Sequence, residues 1–425
     1  MKRLTPVLMA ILLAGAGTAS AQTVAITNAR VHTMAGPAIE RGTVVIRDGV
    51  IAAVGADVVV PAGARVIDAA GKVVTPGFLD SSTQLGLVEV GAVAGTRDSR
   101  VSDDHITAAF NPADGLDPTT SPVAVTRAEG ITRAVVAPAP GASLVAGQAV
   151  LVDLGAETPM EMVRRSMVGM VGVLGERGSR MAGGARAAAV LQLREIFQDV
   201  RDYMENRRAY ETAHRREYAL SRLDLEALVP VARGEVPLVL DVHRSSDILV
   251  ALRLAEELGV RLVLSGVTEG WMVAREIAAA GVPVVINPLV NLPSAFEQLG
   301  ATLENAARLE AAGVTVAFGS FDAHNARNLK QAAGNAVAYG MSHEAALRAI
   351  TANPAGIWGV ADRYGTLEVG KEADVVVWSG DPLELTTSVE HVFIRGREVP
   401  KGHRQKQLFE RYRHVGGAMP EAYTH

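Results

Sequence analysis

Two Asp-x-His pairs hold the most reactive side chains of this 425-residue chain, Asp241-Val242-His243 and Asp322-Ala323-His324. Residues two apart on a β-strand share a face, so each pair can aim a carboxylate and an imidazole in one direction. A carboxylate that orients an imidazole makes a general base. Two converging pairs would instead offer one divalent ion, such as zinc, a relocated single-metal site. The same tripeptide is common on ordinary surfaces, where it has no chemistry. Arg327, in His324-Asn325-Ala326-Arg327-Asn328, suits a substrate carboxylate or the cap of a following helix. His105 follows Ser102-Asp103-Asp104 and reads either as a site residue or as a solvated loop histidine. Cysteine is absent, which removes thiolate nucleophiles, thiolate metal sites and disulfides together.

Positioning these groups falls to a series of apolar β-type runs. They lie at 73–80, 132–138, 149–154, 168–174, 238–243, 261–265, 282–287 and 314–320, and helical patterns such as 251–258 and 273–280 separate them. Near-continuous Val, Ile and Leu strands alternating with helices predict parallel βα units. Eight of them predict an α/β chain folded as a (β/α)₈ barrel of the TIM type over residues 76–364. The Asp-x-His pairs then sit at the ends of the fifth and eighth strands, on the face where barrels do chemistry, though across the barrel from each other. A charged helical stretch at 194–226 reads as an insertion with a solvated face. The glycines of Gly141-Ala142-Ser143-Leu144-Val145-Ala146-Gly147-Gln148 suit close backbone approach to a ligand, or simply a tight turn.

Outside the barrel, short strands recur at 24–26, 43–49, 66–68, 365–378 and 391–394, with Asp48-Gly49 as a hairpin signal. Neither end has enough strands for a stable sheet, so 22–75 and 365–400 are expected to pair into one small β-sandwich. Residues 1–21 have a secretory signal's parts: Lys2-Arg3, an apolar run from Val7 to Ala14, and Ala19-Ser20-Ala21. The apolar run is too short to span a bilayer, so a cleaved, periplasmic or secreted protein is expected. Residues 401–425 read as a charged tail. A net charge of -5 gives no reason to expect nucleic acid or anionic membrane as a partner.

The stretch Pro76-Gly77-Phe78-Leu79-Asp80-Ser81-Ser82-Thr83-Gln84 resembles the first barrel strand of the amidohydrolase superfamily, Pro-Gly-φ-φ-Asp-x-His-x-His with φ apolar. Leu262-Val263-Leu264-Ser265-Gly266-Val267-Thr268-Glu269 resembles its sixth strand, and 346–355 the helix after the barrel, both in the manner of imidazolonepropionase relatives. The resemblance implies the same barrel and sandwich, and hydrolysis of C–N bonds in cyclic amides or peptide-like compounds. It also implies metal ligands: two histidines on strand one, a lysine or glutamate on strand four, one histidine each on strands five and six, and a catalytic aspartate on strand eight. On those positions this chain has Ser82, Gln84, Val171, Asp241, Gly266 and Phe321, and Asp322 recovers the aspartate only through a one-residue bulge. No lysine occurs between Lys72 and Lys330.

Zinc sites need three histidine or carboxylate ligands, so no residue is assigned to the inherited metal pair, and a single relocated ion is the one cofactor left open. Two readings follow. The first is an exported amidohydrolase-type hydrolase rebuilt around Asp241, His243 and Asp322, with Ser82, Gln84, His105, His324 and Arg327 binding a small-molecule substrate. The second is a non-catalytic barrel that binds a small molecule or a partner at its mouth. The oligomeric state is open.

Overall fold

The computed structural model describes residues 23–413. The expected signal segment and the last residues of the tail lie outside that range. In chain order the first strands are β1 (Val24–Val31), β2 (Ile39–Arg47), β3 (Val50–Gly55), β4 (Arg65–Asp68) and β5 (Val73–Pro76). The barrel strands are β6 (Phe78–Thr83), β7 (Ile131–Val136), β8 (Val145–Asp153), β9 (Val163–Val173), β10 (Leu238–Val242), β11 (Leu262–Gly266), β12 (Val284–Ile286) and β13 (Val316–Phe318). Last come β14 (Val375–Trp378), β15 (Val389–Ile394) and β16 (Arg397–Glu398).

The two ends of the chain share one mixed sheet, in the order β16-β15-β14-β5-β1-β2-β3, with β4 also on β1. Asp48 and Gly49 both adopt left-handed φ, 52° and 82°, and close the β2–β3 hairpin as the Asp-Gly signal requires. The apolar run at 73–80 is not one strand. It breaks at Gly77, where any Cβ would strike the Thr132 side chain, and divides into β5 of the terminal sheet and β6 of the barrel.

The second sheet runs β6 through β13 in sequence order. It is nearly closed: the Phe321 amide donates to the Ser82 carbonyl at 2.7 Å, and the Ser320 amide to Asp80 Oδ1 at 3.0 Å. Contrary to the parallel expectation, β8 runs antiparallel to both β7 and β9. Its two connections are too short to house crossover helices, so a meander replaces one βα unit. The remaining neighbours pair parallel.

Period-two alternation divides the barrel residues cleanly. Leu79, Val135, Val239, Val263, Val285 and Ala317 pack together in the interior. Phe78, Ala134, Leu238, Leu264, Val284 and Val316 alternate with them and pack in the larger core that includes the helices. The charged stretch belongs to a long helix, Arg186–Glu211, followed by Arg222–Ala232. It is only half solvated, because Leu193, Ile196, Phe197, Val200 and Tyr203 enter the larger core. Arg133 on β7 is 1% exposed and lies between Asp153 (2.7 Å) and Asp374 (2.6 Å), so it ties the barrel to the terminal sheet. Among the described residues, no helix is long and apolar enough to cross a membrane.

Candidate functional site

A cavity of about 370 Å³ opens at the C-terminal ends of the barrel strands. Strand parity explains its lining. Val239, Asp241 and His243 share one inward face of β10 and its extension, so the first two-apart pair does point together into the mouth. Ser82 and Gln84 line the same cavity from the end of β6, with Ser265, Gly266 and Thr268 from β11 and its loop, and Asn287 beyond β12.

His243 is the centre of this arrangement. Its Nδ1 lies 2.8 Å from Thr268 Oγ1, and its Nε2 lies 3.5 Å from Asp241 Oδ1. Burial opposes protonation of the imidazole, but the Asp241 carboxylate outweighs it, and the His243 pKa rises above 6.5. Gly266 is what makes room for the ring. A Cβ there would stand 2.5 Å from His243 Cε1, and the backbone is left-handed, φ 83°. The imidazole of His243 thus packs directly over the Gly266 backbone. The next residue, Val267, also has positive φ, 35°, an unusual conformation for a β-branched side chain.

The second pair behaves differently. Phe321, φ 55°, lines the cavity, as Val285 and Val239 do from their strands, whereas Asp322 does not. The Asp322 carboxylate accepts from the His324 amide at 2.7 Å and the Asn325 side chain at 2.9 Å, which closes a local turn outside the mouth. His324 and Arg327 line a separate surface depression with Gln405, and Arg327 Nη1 donates to Gln405 Oε1 at 3.2 Å. Arg327 therefore holds the helix Arg404–Tyr412 against the barrel, and does not face the cavity. His105 is exposed beside Asp103 and Asp104, and these three form the only cluster of metal-type side chains among the described residues. They too lie outside the cavity.

Asp80 occupies the aspartate position of the strand-one motif. It is fully buried, and burial pushes its carboxyl up to about 7 even though Ser320 and the Ser82 amide hydrogen-bond to it. Its Oδ2 has no partner. The glycines of the 141–148 loop serve packing: a Cβ on Gly141 would overlap the Val101 carbonyl, and one on Gly147 would lie 2.6 Å from that of Phe110.

Several lining residues escaped the sequence. Parity carried two residues past Val263 and Val285 would have named Ser265 and Asn287. Thr268 could be found only once the ring of His243 was placed. Arg177, on the helix Gly175–Met181, and Arg100, on the loop after β6, line the cavity without any motif to mark them.

Comparison with known proteins agrees with this architecture. Residues 224–399 match the Amidohydrolase family pattern. The crystal structure of an amidohydrolase from Thermotoga maritima superposes with a TM-score of 0.80 at 30% identity, over 88% of this chain and 99% of that one. Molinate hydrolase superposes with a TM-score of 0.57 at 20% identity, over 90% and 95% of the two chains, which speaks for the fold alone. Amidohydrolase tasK from Hapsidospora irregularis is 24% identical over 79% of this chain and 37% of its own length. N-acyl-D-glutamate deacylase from Alcaligenes xylosoxydans xylosoxydans is 37% identical over 18% of each. The chain thus spans well under half the length of the curated relatives it matches. With a near-complete match to a 30% identical amidohydrolase and the barrel in hand, the chain belongs to the amidohydrolase family.

Proposed function

We propose that the barrel mouth hydrolyses a C–N bond of a small amide without the family's pair of metal ions, using Asp241 and His243 as one acid–base unit. The observation that carries this reading is the half-buried Asp241–His243–Thr268 chain at the end of β10, open to the cavity on one side. The donor set does not fit two metal ions: Ser82 and Gln84 are neutral, Val171, Gly266 and Phe321 offer no ligand atom, and Asp241 and His243 supply only two. In the proposed reaction a water attacks the amide carbon while the dyad accepts its proton. The dyad then returns that proton to the departing nitrogen, leaving a carboxylic acid and an amine. Ser82, Gln84 and Asn287 supply neutral polar groups to hold the carbonyl.

A second reading, a barrel that binds without catalysis, gains from Phe321, which stands where the family places its general base. One experiment separates the two. Chelator-treated protein is assayed on N-acetyl amino acids, lactams and hydantoins beside His243→Ala and Asp241→Asn. Turnover that survives chelation and falls at least 100-fold in both variants supports hydrolysis by the dyad. Activity that chelation abolishes and zinc restores would refute it, and tight binding without turnover supports the second reading. The finer placement beside imidazolonepropionase, the two-layer form of the terminal sheet and export from the cytoplasm belong to the same proposal. They rest on the motifs at 262–269 and 346–355, on the strand count at the two ends and on the 1–21 pattern.

A further inference from the structure

The charges around the cavity do not balance, and the imbalance names a ligand class. Four ionisable side chains line the mouth: Arg100, Arg177, Asp241 and His243. Asp241 is already engaged by His243. Neighbouring arginines have carboxylates of their own, Arg180 on Glu176, Arg186 on Asp247 and Arg244 on Asp247. Arg177 and Arg100 have none: among the described residues, neither guanidinium takes part in an ion pair or a side-chain hydrogen bond. Arg177 is half-buried, and its charge reaches His243, where it opposes protonation of the ring. Glu297 stands behind the wall within electrostatic reach of His243, but it already accepts from the Glu176 amide and faces Arg186, so the charge left without a partner on the lining is that of the two arginines.

Neutral polar groups of Ser82, Gln84, Ser265, Thr268 and Asn287 share the lining with an apolar wall made by Ala149, Val171, Val239, Val285, Phe321 and Trp358. We propose that the cavity takes a small monocarboxylate with an apolar body, and that Arg177, assisted by Arg100 at the rim, binds its carboxylate. A planar guanidinium fork matches a carboxylate with two parallel hydrogen bonds, and in a partly desolvated cavity such a contact discriminates strongly. Resting on the hydrolase reading, this makes the substrate an N-acylated apolar amino acid, held by its acid group while the dyad faces the amide. The binding claim stands on its own, because it requires no turnover.

The test uses full-length His243→Ala protein, which removes catalysis from the measurement, and calorimetric titration with N-acetyl-leucine, N-acetyl-phenylalanine and the two matching C-terminal amides. At least one acid is expected to bind about tenfold or more tightly than its amide. Adding Arg177→Gln should erase that preference while leaving amide binding as it was, and Arg177→Lys should keep part of it. Equal affinity for acid and amide, an unchanged preference in Arg177→Gln, or no binding by either acid would each overturn the proposal. A clear acid preference in a protein that never turns over would leave this subsite standing and sink only the hydrolase reading.

Discussion

Replacing Gly266 by alanine tests whether the site is built around the ring of His243. The new Cβ meets His243 Cε1 at 2.5 Å, Nδ1 at 3.0 Å and Nε2 at 3.1 Å, distances that a packed interior does not tolerate. Holding φ near 83° costs an L-residue about 1–2 kcal/mol by itself. Moving the ring away also breaks its contact with Thr268, worth about 1 kcal/mol. Gly266→Ala should therefore destabilise the fold by about 2–3 kcal/mol in urea unfolding. In a His243→Ala background the ring is gone, and only the backbone cost of about 1–2 kcal/mol remains. A double-mutant cycle should then return a coupling of about 1 kcal/mol between positions 243 and 266. A cycle that is additive within about 0.3 kcal/mol would show that the imidazole does not rest on Gly266, and the geometry of the dyad would have to be withdrawn.

Two other outcomes follow from carboxylates away from the dyad. The Asp80 carboxyl, at about 7 in the fold against 3.8 as the ordinary value, holds a proton that the unfolded chain has already released. Stability should thus decline as pH rises from about 4 to about 7, by up to roughly 4 kcal/mol, and level off above that. Asp80→Asn keeps an acceptor for the Ser82 and Ser320 amides and should flatten this slope. Equal unfolding free energies at pH 4.5, 6 and 8 would refute the assignment. Asp322→Ala should cost about 0.5–2 kcal/mol through the lost turn and leave ligand affinity of the cavity unchanged. A tenfold loss of affinity would return Asp322 to the site.

The strand-one motif, the strand-and-helix alternation and the hairpin at Asp48-Gly49 determined the family, the barrel and the pairing of the chain's two ends. These are legible because local residue types and short periods encode them. The Asp241-x-His243 pair was legible for the same reason: His243 directly follows β10 and keeps its two-residue phase, so it shares a face with Asp241. Its twin at 322 and 324 has the same spelling and no strand to order it, since β13 ends at Phe318 and the Asp322 carboxylate closes a local turn onto the His324 amide. Only the tertiary structure decided that, along with the reversed direction of β8 and the insertion of the imidazole over Gly266. It also placed Arg177, from a helix, and Arg100, from a loop distant in sequence, on one cavity. Each of these depends on where segments far apart in sequence meet, and no period within a segment records such a meeting.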